Sequence, residues 1–293
     1  MNRNIETFIA CDAEYSDARV VIFGAPFDST TSYRPGARFG SAAIRHESYG
    51  IETYSPYLDR DLAEPDANGV YDGIRVFDSG DIELPMGSSQ MALDAISQRT
   101  AQILDDKKIP LMLGGEHLVT LGAFREVAQR YPDVHIIHFD AHCDLRQDYL
   151  GVELSHACVI RRCHDIIGDG RIHQFGIRSG DRFEWQFARE GHTDMHPFRL
   201  DDVPAMADEL AGCPVYFTID LDVLDPSIFP GTGTPEAGGV SFNALREAIV
   251  TVCQKCNVVA IDVNELAPNL DISGVSTAVA CKLVRELLLS IAE

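Results

Sequence analysis

The chain alternates between short apolar runs and longer segments in which apolar residues recur at helical spacing. Buried strands are predicted at 20–24, 74–77, 109–113, 134–139, 172–177, 215–219 and 258–262. Helical patterns lie between them, at 88–104, 118–127, 182–190, 202–211, 241–254 and 275–291. Short, largely apolar strands that alternate with helices are typical of a parallel sheet covered on both faces. The pattern therefore predicts an α/β fold.

The alternation continues along the chain without an obvious boundary. With 293 residues, one large domain or two ordinary ones could form. Since no linker, low-complexity tract or internal repeat interrupts the pattern, we predict a single domain over 1–293. The segment 25–40 is rich in Gly and Pro and is predicted to be a long loop, which either borders a functional pocket or only connects elements across the sheet edge. A second such segment, 231–239, lacks a phosphate-loop lysine and does not predict a nucleotide site.

Acidic and histidine side chains lie where one predicted strand ends. Asp140, His142 and Asp144 follow the run 134–139. Alternate residues of a strand share one face, so these three side chains are predicted to point the same way. Converging carboxylates would repel each other unless a cation lay among them. The motif therefore predicts a metal site.

Two other predicted strands bring similar side chains to the same edge. Asp220 and Asp222 follow the strand 215–219, and His117 follows 109–113. Because sites in parallel sheets form beyond the carboxyl ends of the strands, we expect these residues to join the first cluster. Four carboxylates and two imidazoles suit two ions rather than one. This donor set favours Mn(2+) over Mg or Zn and leaves Fe(II), Co(II) and Ni(II) open.

Two metal ions at this site would predict hydrolysis, because a pair of ions can activate water near neutral pH. The four aspartates balance two divalent ions, and a hydroxide would add negative charge, so a small cationic group such as guanidinium fits better than a phosphate ester. Glu265, at the end of the strand 258–262, is predicted to hold the guanidinium N–H groups. His156 is not needed as a ligand and is predicted to transfer a proton. His138 lies deeper in its strand and is expected to support a ligand rather than bind an ion.

Composition limits the partners. The chain has 45 acidic and 24 basic residues, a formal net charge of −21, which disfavours nucleic acid and anionic membranes as partners. Acidity also favours solubility. The first residues lack a signal-peptide pattern, and no apolar run reaches the roughly 18 residues of a membrane span, so we expect a cytoplasmic protein. The eight cysteines are scattered and are expected to be reduced, without a function for the Cys253–Cys256 pair. Cys143 is expected to pack beside the site.

The motifs taken together resemble those of a known family. Gly114 to His117, Asp140 to Asp144, Ser155-His156 and Asp220 to Pro226 are similar, in order and spacing, to the four signatures of the ureohydrolases, the arginase and agmatinase family. The resemblance runs from about residue 20 to the C-terminus. The segments 33–40 and 231–239 look more like those of bacterial agmatinases than of arginases.

The resemblance implies a three-layer α/β/α fold with a mainly parallel central sheet, two Mn(2+) per subunit, and a homotrimer or homohexamer. It places His117, Asp140, Asp144 and Asp220 on one ion and His142, Asp140, Asp220 and Asp222 on the other. A hydroxide between the ions would attack the guanidinium carbon. Asp144 would steady its proton, His156 would pass a proton to the leaving amine, and Glu265 would orient the guanidinium. With agmatine the products would be putrescine and urea.

Some positions depart from the family pattern and bear on the substrate tail. Family members commonly carry Thr or Ala at Cys143 and Val at Asn264, and the segment 269–275 also differs. The loop after Asp144 offers Asp148 and Glu153, which favours a cationic tail, although three nearby arginines, Arg146, Arg161 and Arg162, oppose this. Hydrolysis of guanidinobutyrate, arginine or formimidoylglutamate stays open, as do a one-zinc deacetylase and a catalytically silent family member.

Overall fold

The structure, a computed structural model, describes residues 6–63 and 75–291. These residues form the strands β1 (Val20–Gly24), β2 (Tyr54–Ser55), β3 (Arg60–Asp61), β4 (Val76–Asp81), β5 (Ile109–Leu113), β6 (His135–Phe139), β7 (Ile172–Phe175), β8 (Asp194–His196), β9 (Pro214–Asp220) and β10 (Asn257–Asn264). The helices are α1 (Gly40–Ser48), α2 (Ser89–Asp105), α3 (Val119–Arg130), α4 (Val159–Ile167), α5 (Arg182–Arg189), α6 (Val203–Glu209), α7 (Phe242–Lys255) and α8 (Val275–Ser290).

Eight of the strands form one parallel sheet. Its order is β4-β1-β5-β10-β9-β6-β7-β8, and each neighbouring pair is parallel. The two remaining strands, β2 and β3, form a small antiparallel pair of their own. At the centre, every residue of β9 is buried. A strand covered on both faces needs apolar side chains on both, which explains why its sequence shows no polar alternation.

Helices cover both faces of the sheet. Along β1, Val20 and Ile22 join one apolar core, while Val21 and Phe23 join the other. The first core is closed by α1, α6, α7 and α8, and the second by α2, α3 and α4. The predicted three-layer α/β/α fold with a mainly parallel sheet is therefore confirmed.

Two helices, α1 and α4, were not predicted from the sequence. The loop expected over 25–40 gives way at Gly40 to α1, which is held by Arg45 against Asp78 and Asp81. Those ion pairs come from distant parts of the chain, so no local pattern shows them. Helix α4 begins at Val159, three residues after His156, and buries one apolar face under the sheet. The predicted strand 74–77 begins outside the described residues and continues to Asp81 as β4.

Two findings bear on the expectations drawn from composition. All eight cysteines lie in the described chain and carry free thiols. Among the described residues, no helix combines the length and the apolar character that a membrane crossing requires.

The sheet order brings the chemically active segments together. The strands β5, β10, β9 and β6 lie side by side, and their carboxyl ends point to one edge. His117 follows β5, Glu265 follows β10, Asp220 ends β9, and Asp140 follows β6. Four adjacent strand ends therefore supply one site.

Candidate metal centre

The segment after β6 turns sharply and does not continue as a strand. The strand ends at Phe139, His142 forms only a single bridge to Ser179, and Asp144 has a left-handed backbone with φ 54°. The predicted alternation along an extended strand is therefore wrong. Asp140, His142 and Asp144 still converge, because the turn folds the chain back over the strand end.

The segment after β9 also turns at once. Asp220 ends the strand, and its Oδ1 accepts a hydrogen bond of 2.8 Å from the amide of Asp222, which lies in a short 3-10 turn. Asp222 Oδ1 in turn accepts a 3.1 Å hydrogen bond from the amide of Ala141. Main-chain donors therefore hold both carboxylates in place and tie the two strand ends to each other.

His117 lies at the centre of the first group of donors. Its Nδ1 is 2.9 Å from Asp140 Oδ2, 3.2 Å from Asp144 Oδ2 and 3.3 Å from Asp220 Oδ2. This nitrogen is buried and nevertheless makes no hydrogen bond of acceptable geometry. A nitrogen that faces three carboxylate oxygens without bonding to any one of them fits a position shared around a cation.

His142 organises a second group beside the first. Its Nδ1 is 3.0 Å from Asp222 Oδ2 and 3.4 Å from Asp140 Oδ1. Because the other oxygen of Asp140 faces His117, this carboxylate lies between the two histidines. The outer nitrogen of His142 points toward Glu236, at 3.8 Å. The two groups thus share Asp140 and are suited to two neighbouring ions.

The electrostatics of these groups show a shortage of positive charge. Burial and the negative charge of Asp140 raise the pKa of Asp144 to about 7. Burial and the charge of Asp222 raise the pKa of Asp220 well above its usual range. Although burial opposes protonation, the close carboxylates of Asp140, Asp144 and Asp220 raise the pKa of His117 well above its ordinary value. Divalent cations would supply the missing charge, so the donor set and its geometry fit a metal centre.

His138 stands behind the ligands, as the sequence suggested. Its Nε2 lies 2.8 Å from Asp140 Oδ2, and its Nδ1 lies 3.1 Å from the side-chain Nε2 of Gln174. The ring is fully buried. His138 thus restrains the carboxylate that both histidine ligands approach.

Glu265 reaches the site from the next strand. Its Oε1 accepts a 2.9 Å hydrogen bond from the amide of His117, and its own amide donates to the carbonyl of Gly115 at 2.9 Å. The residue has φ 67°, a left-handed conformation that turns the chain away from the sheet directly after β10. Burial and the charge of Glu116 raise the pKa of Glu265 well above its usual range. A cation bound here would relieve that cost.

His156 borders the centre from the other side of the rim. Its Nε2 is 3.0 Å from the hydroxyl of Ser32, and its amide donates to the hydroxyl of Thr30 at 3.1 Å. Both hydroxyls belong to the loop 25–36, so this loop contacts His156. Burial and the charge of His142 lower the pKa of His156 to about 4. The imidazole is therefore neutral near pH 7.

Two rim carboxylates were not singled out from the sequence. Glu116 is buried, and both its oxygens accept hydrogen bonds from Thr30 and Thr31, which fixes the loop that carries Ser32. Glu236 accepts a 2.8 Å hydrogen bond from the hydroxyl of Ser179 and faces His142. Both residues lie within segments already noted in the sequence, but spacing alone does not show which side chains turn inward.

Cys143 and one remote cluster are further residues of metal-binding types outside the two groups of donors. Cys143 is buried, and its carbonyl accepts a hydrogen bond from Gln174, which agrees with a packing role. Outside the centre, His164 of α4 and His192, which follows α5, approach one carboxylate oxygen of Asp169 at 2.7 and 2.8 Å. The other ring nitrogen of His164 is buried without a partner among the described residues, whereas histidine ligands usually have one. This cluster is best described as two hydrogen bonds to one exposed carboxylate.

Comparison with known proteins decides the family. The model of the arginase family matches residues 18–290. This chain belongs to the arginase family. The predicted ureohydrolase resemblance, and with it the predicted enzyme class, is thereby confirmed.

Relatives within the arginase family cover nearly the whole chain. The agmatinase of Bacillus cereus is 46% identical over 286 residues, which is 97% of this chain and 96% of that protein. The agmatinase of Bacillus subtilis is 44% identical over 286 residues, with the same shares of both chains. A crystal structure of a presumed agmatinase from Clostridium difficile matches with a TM-score of 0.89 at 48% identity and covers 95% of this chain and 99% of that chain.

Metal binding should stabilise the fold. Adding Mn(2+) to chelator-treated protein is expected to raise the melting temperature. At a free Mn(2+) concentration one hundred times the Kd, the free energy of unfolding should increase by about 2.7 kcal/mol. Asp140→Ala is expected to remove most of this increase, because Asp140 lies between the two histidines. Calorimetry measures the shift.

The control for this prediction is Asp169→Ala, which disrupts only the remote cluster. This variant should keep the full increase. An equal increase in Asp140→Ala would contradict the assignment of the centre.

Proposed function

We propose that this chain is a binuclear manganese hydrolase that cleaves the guanidinium group of agmatine to give putrescine and urea. The observation that carries the proposal is the convergence of the six candidate donors at the ends of three strands, β5, β9 and β6, in a chain so similar to the Bacillus agmatinases. One ion would be held by His117, Asp140, Asp144 and Asp220 and the other by His142, Asp140, Asp220 and Asp222. In a cell this reaction would contribute to polyamine synthesis.

The metal supplies one part of the chemistry. When bound, a pair of divalent ions provides Lewis acidity and lowers the pKa of water, so that hydroxide is available near neutral pH. The remaining steps belong to side chains of this chain. Their task is to hold the substrate, accept the proton of the attacking water and protonate the leaving amine.

Glu265 is proposed to hold the guanidinium group. Its carboxylate is fixed by the amide of His117 and faces the same rim as the ligands. Guanidinium presents paired N–H donors that match a carboxylate. The positive charge of the substrate would also offset the buried negative charge of Glu265. Substrate binding would therefore reduce the cost of burying this carboxylate.

Asp144 and His156 are proposed to manage the protons. Asp144, whose Oδ2 lies 3.2 Å from His117 Nδ1 within the centre, would accept a proton from the attacking water. His156 starts neutral and would therefore take up a proton from solvent before it donates one. It would pass this proton to the amine nitrogen as the carbon–nitrogen bond breaks, and urea and the free amine would leave.

The substrate tail is less constrained than the guanidinium group. Asp148 is exposed in the loop next to His156, where Arg146 lies over Tyr149 at 5.0 Å and the Tyr149 ring is 6.2 Å from that of His156. Glu153 instead pairs with Arg162 at 3.4 Å. The acidic side chain that favours a cationic tail is therefore Asp148. Guanidinobutyrate, arginine and formimidoylglutamate remain the alternative substrates.

Urea release tests the substrate. The Mn(2+)-loaded protein is incubated with equal concentrations of agmatine, arginine and 4-guanidinobutanoate, in separate reactions, and a chelator-treated sample serves as the control. We expect chelator-sensitive release of urea, with agmatine preferred. Preference for another guanidino compound would replace the proposed substrate, and no urea from any would favour a silent family member.

Replacing the proton-transfer residue should affect turnover more than binding. His156→Ala is expected to lower kcat by roughly 10²- to 10⁴-fold, the usual contribution of general acid–base catalysis, with Mn(2+) content unchanged. The matched control is His192→Ala, which removes a histidine of the remote cluster and should leave kcat near that of the unsubstituted protein. Equal activity in both variants would exclude His156 from proton transfer.

The loop next to His156 should affect the tail of the substrate. Asp148→Asn is expected to raise KM for agmatine about two- to fivefold, since an exposed charge contributes only roughly 0.5–1 kcal/mol. Glu153→Gln should have a smaller effect, because Arg162 already pairs with it. The initial rates are measured at low and high salt. Unchanged KM in both variants would remove the loop from the argument for agmatine.

A further inference from the structure

His117 has a second ring nitrogen, and this nitrogen faces away from the carboxylates. Its Nε2 lies 2.8 Å from the hydroxyl oxygen of Thr218 on β9. A neutral imidazole carries a proton on one nitrogen and a lone pair on the other. His117 can present a lone pair from Nδ1 to a metal only when its proton is on Nε2. Whatever lies beyond Nε2 therefore determines whether this residue can be a ligand.

The hydroxyl of Thr218 has a single hydrogen, and its direction is set by the next residue. The oxygen lies 2.6 Å from Asp262 Oδ1, on the fully buried carboxylate of the neighbouring strand β10. An ionised carboxylate can only accept, so Thr218 donates to Asp262. Its lone pairs are then left for His117 Nε2, which must donate.

Asp262 is itself surrounded by donors. Its Oδ1 also accepts a 2.7 Å hydrogen bond from Asn264 Nδ2, and its Oδ2 accepts one from the hydroxyl of Tyr216. Burial raises the pKa of Asp262, and the donated hydrogen bonds offset part of that cost. The residue is thus held as an acceptor toward Thr218.

Asn264 is the member of this group that departs from the family pattern. Its amide nitrogen uses both hydrogens, one toward Asp262 and one toward the hydroxyl of Thr120 at 3.1 Å. A valine at this position would supply neither. Gly114 provides the room, since a Cβ there would lie 1.8 Å from Asn264 Oδ1.

Strand register places the whole group beneath the metal centre. Asp262 is paired with Thr218 and Asn264 with Asp220 across β10 and β9. Alternate residues of each strand therefore form one layer that leads from Asn264 to His117. This layer is buried, so water does not compete for its hydrogen bonds.

We infer that Asn264, Asp262 and Thr218 form a buried hydrogen-bond relay that holds His117 as its Nε2–H tautomer and so directs the Nδ1 lone pair to the metal. All three are positioning residues, because they act through His117 and touch neither metal nor substrate. The inference rests on the metal centre of the proposed function. It adds that Asn264 strengthens metal binding in this chain.

A pair of substitutions at Thr218 tests the relay. Thr218→Val keeps the shape of the side chain and removes the hydroxyl, whereas Thr218→Ser keeps the hydroxyl. The dissociation constants for Mn(2+) are measured by equilibrium dialysis of the full chain, with the metal content determined by atomic absorption. We expect Thr218→Val to weaken the binding of one ion by about 10- to 100-fold and Thr218→Ser to bind nearly as the unsubstituted protein does.

Asn264→Val tests the residue specific to this chain, with Asn243→Val as the control. Asn243 is exposed on α7, far from the relay. Loss of the Asn264 amide is expected to weaken Mn(2+) binding about three- to tenfold, the contribution of a single hydrogen bond, whereas Asn243→Val should have no effect. Thermal unfolding of each chelator-treated variant reports stability separately.

The outcomes separate the relay from a merely structural role and from the proposed substrate. Unchanged Mn(2+) binding in Thr218→Val, or equal losses in the Val and Ser variants that follow their melting temperatures, would overturn the relay. If the unsubstituted protein binds no Mn(2+), the relay and the metal centre both fail. If it binds Mn(2+) but releases no urea from agmatine, only the proposed reaction fails, and the Thr218 pair still decides the relay.

Discussion

The site depends on one electrostatic constraint, the enclosure of several carboxylates in a small volume that excludes most water. Asp140, Asp220 and Asp222 cannot relieve their repulsion by moving apart, because amides of the turns after β6 and β9 hold them. Protonation would remove the negative charge, but the protonated oxygens would no longer serve as metal donors. The fold therefore imposes a demand for cations before any ion arrives, and the ligands need little rearrangement on binding.

The parallel sheet meets this demand by its order. Adjacent strand ends each contribute a different element of the site: His117 from β5, Glu265 from β10, Asp220 from β9 and Asp140 from β6. The cores on both faces fix the relative heights of these ends. Glu265 and Asp220, the residues proposed to hold the substrate and a metal, are thus positioned by the same pair of strands, whose register aligns Asn264 with Asp220.

The sequence predicts the position of a site residue well where that residue lies at a strand end. It predicts the position less well where the residue lies in a turn. His117, Asp140 and Asp220 could be placed together because carboxyl ends of neighbouring parallel strands share an edge. Asp144 lies at the same site because of a left-handed turn after Phe139. The alternation of side chains along a strand does not predict this turn. The contacts of Glu116 with Thr30 and Thr31, and of Arg45 with Asp78, join segments far apart in the chain. No local pattern encodes such pairs.

The backbone conformations of Asp144 and Glu265 set a limit on how this protein can change. Both are non-glycine residues with positive φ, at 54° and 67°, and such conformations cost roughly 1–3 kcal/mol each. Glycine would relax the backbone at either position but would remove a carboxylate from the site. Lys107, with φ 57°, is exposed and free of this conflict. Stability and chemistry therefore place opposite demands on the two turns of the site, whereas a glycine at Lys107 could relax the backbone without removing a residue of the site.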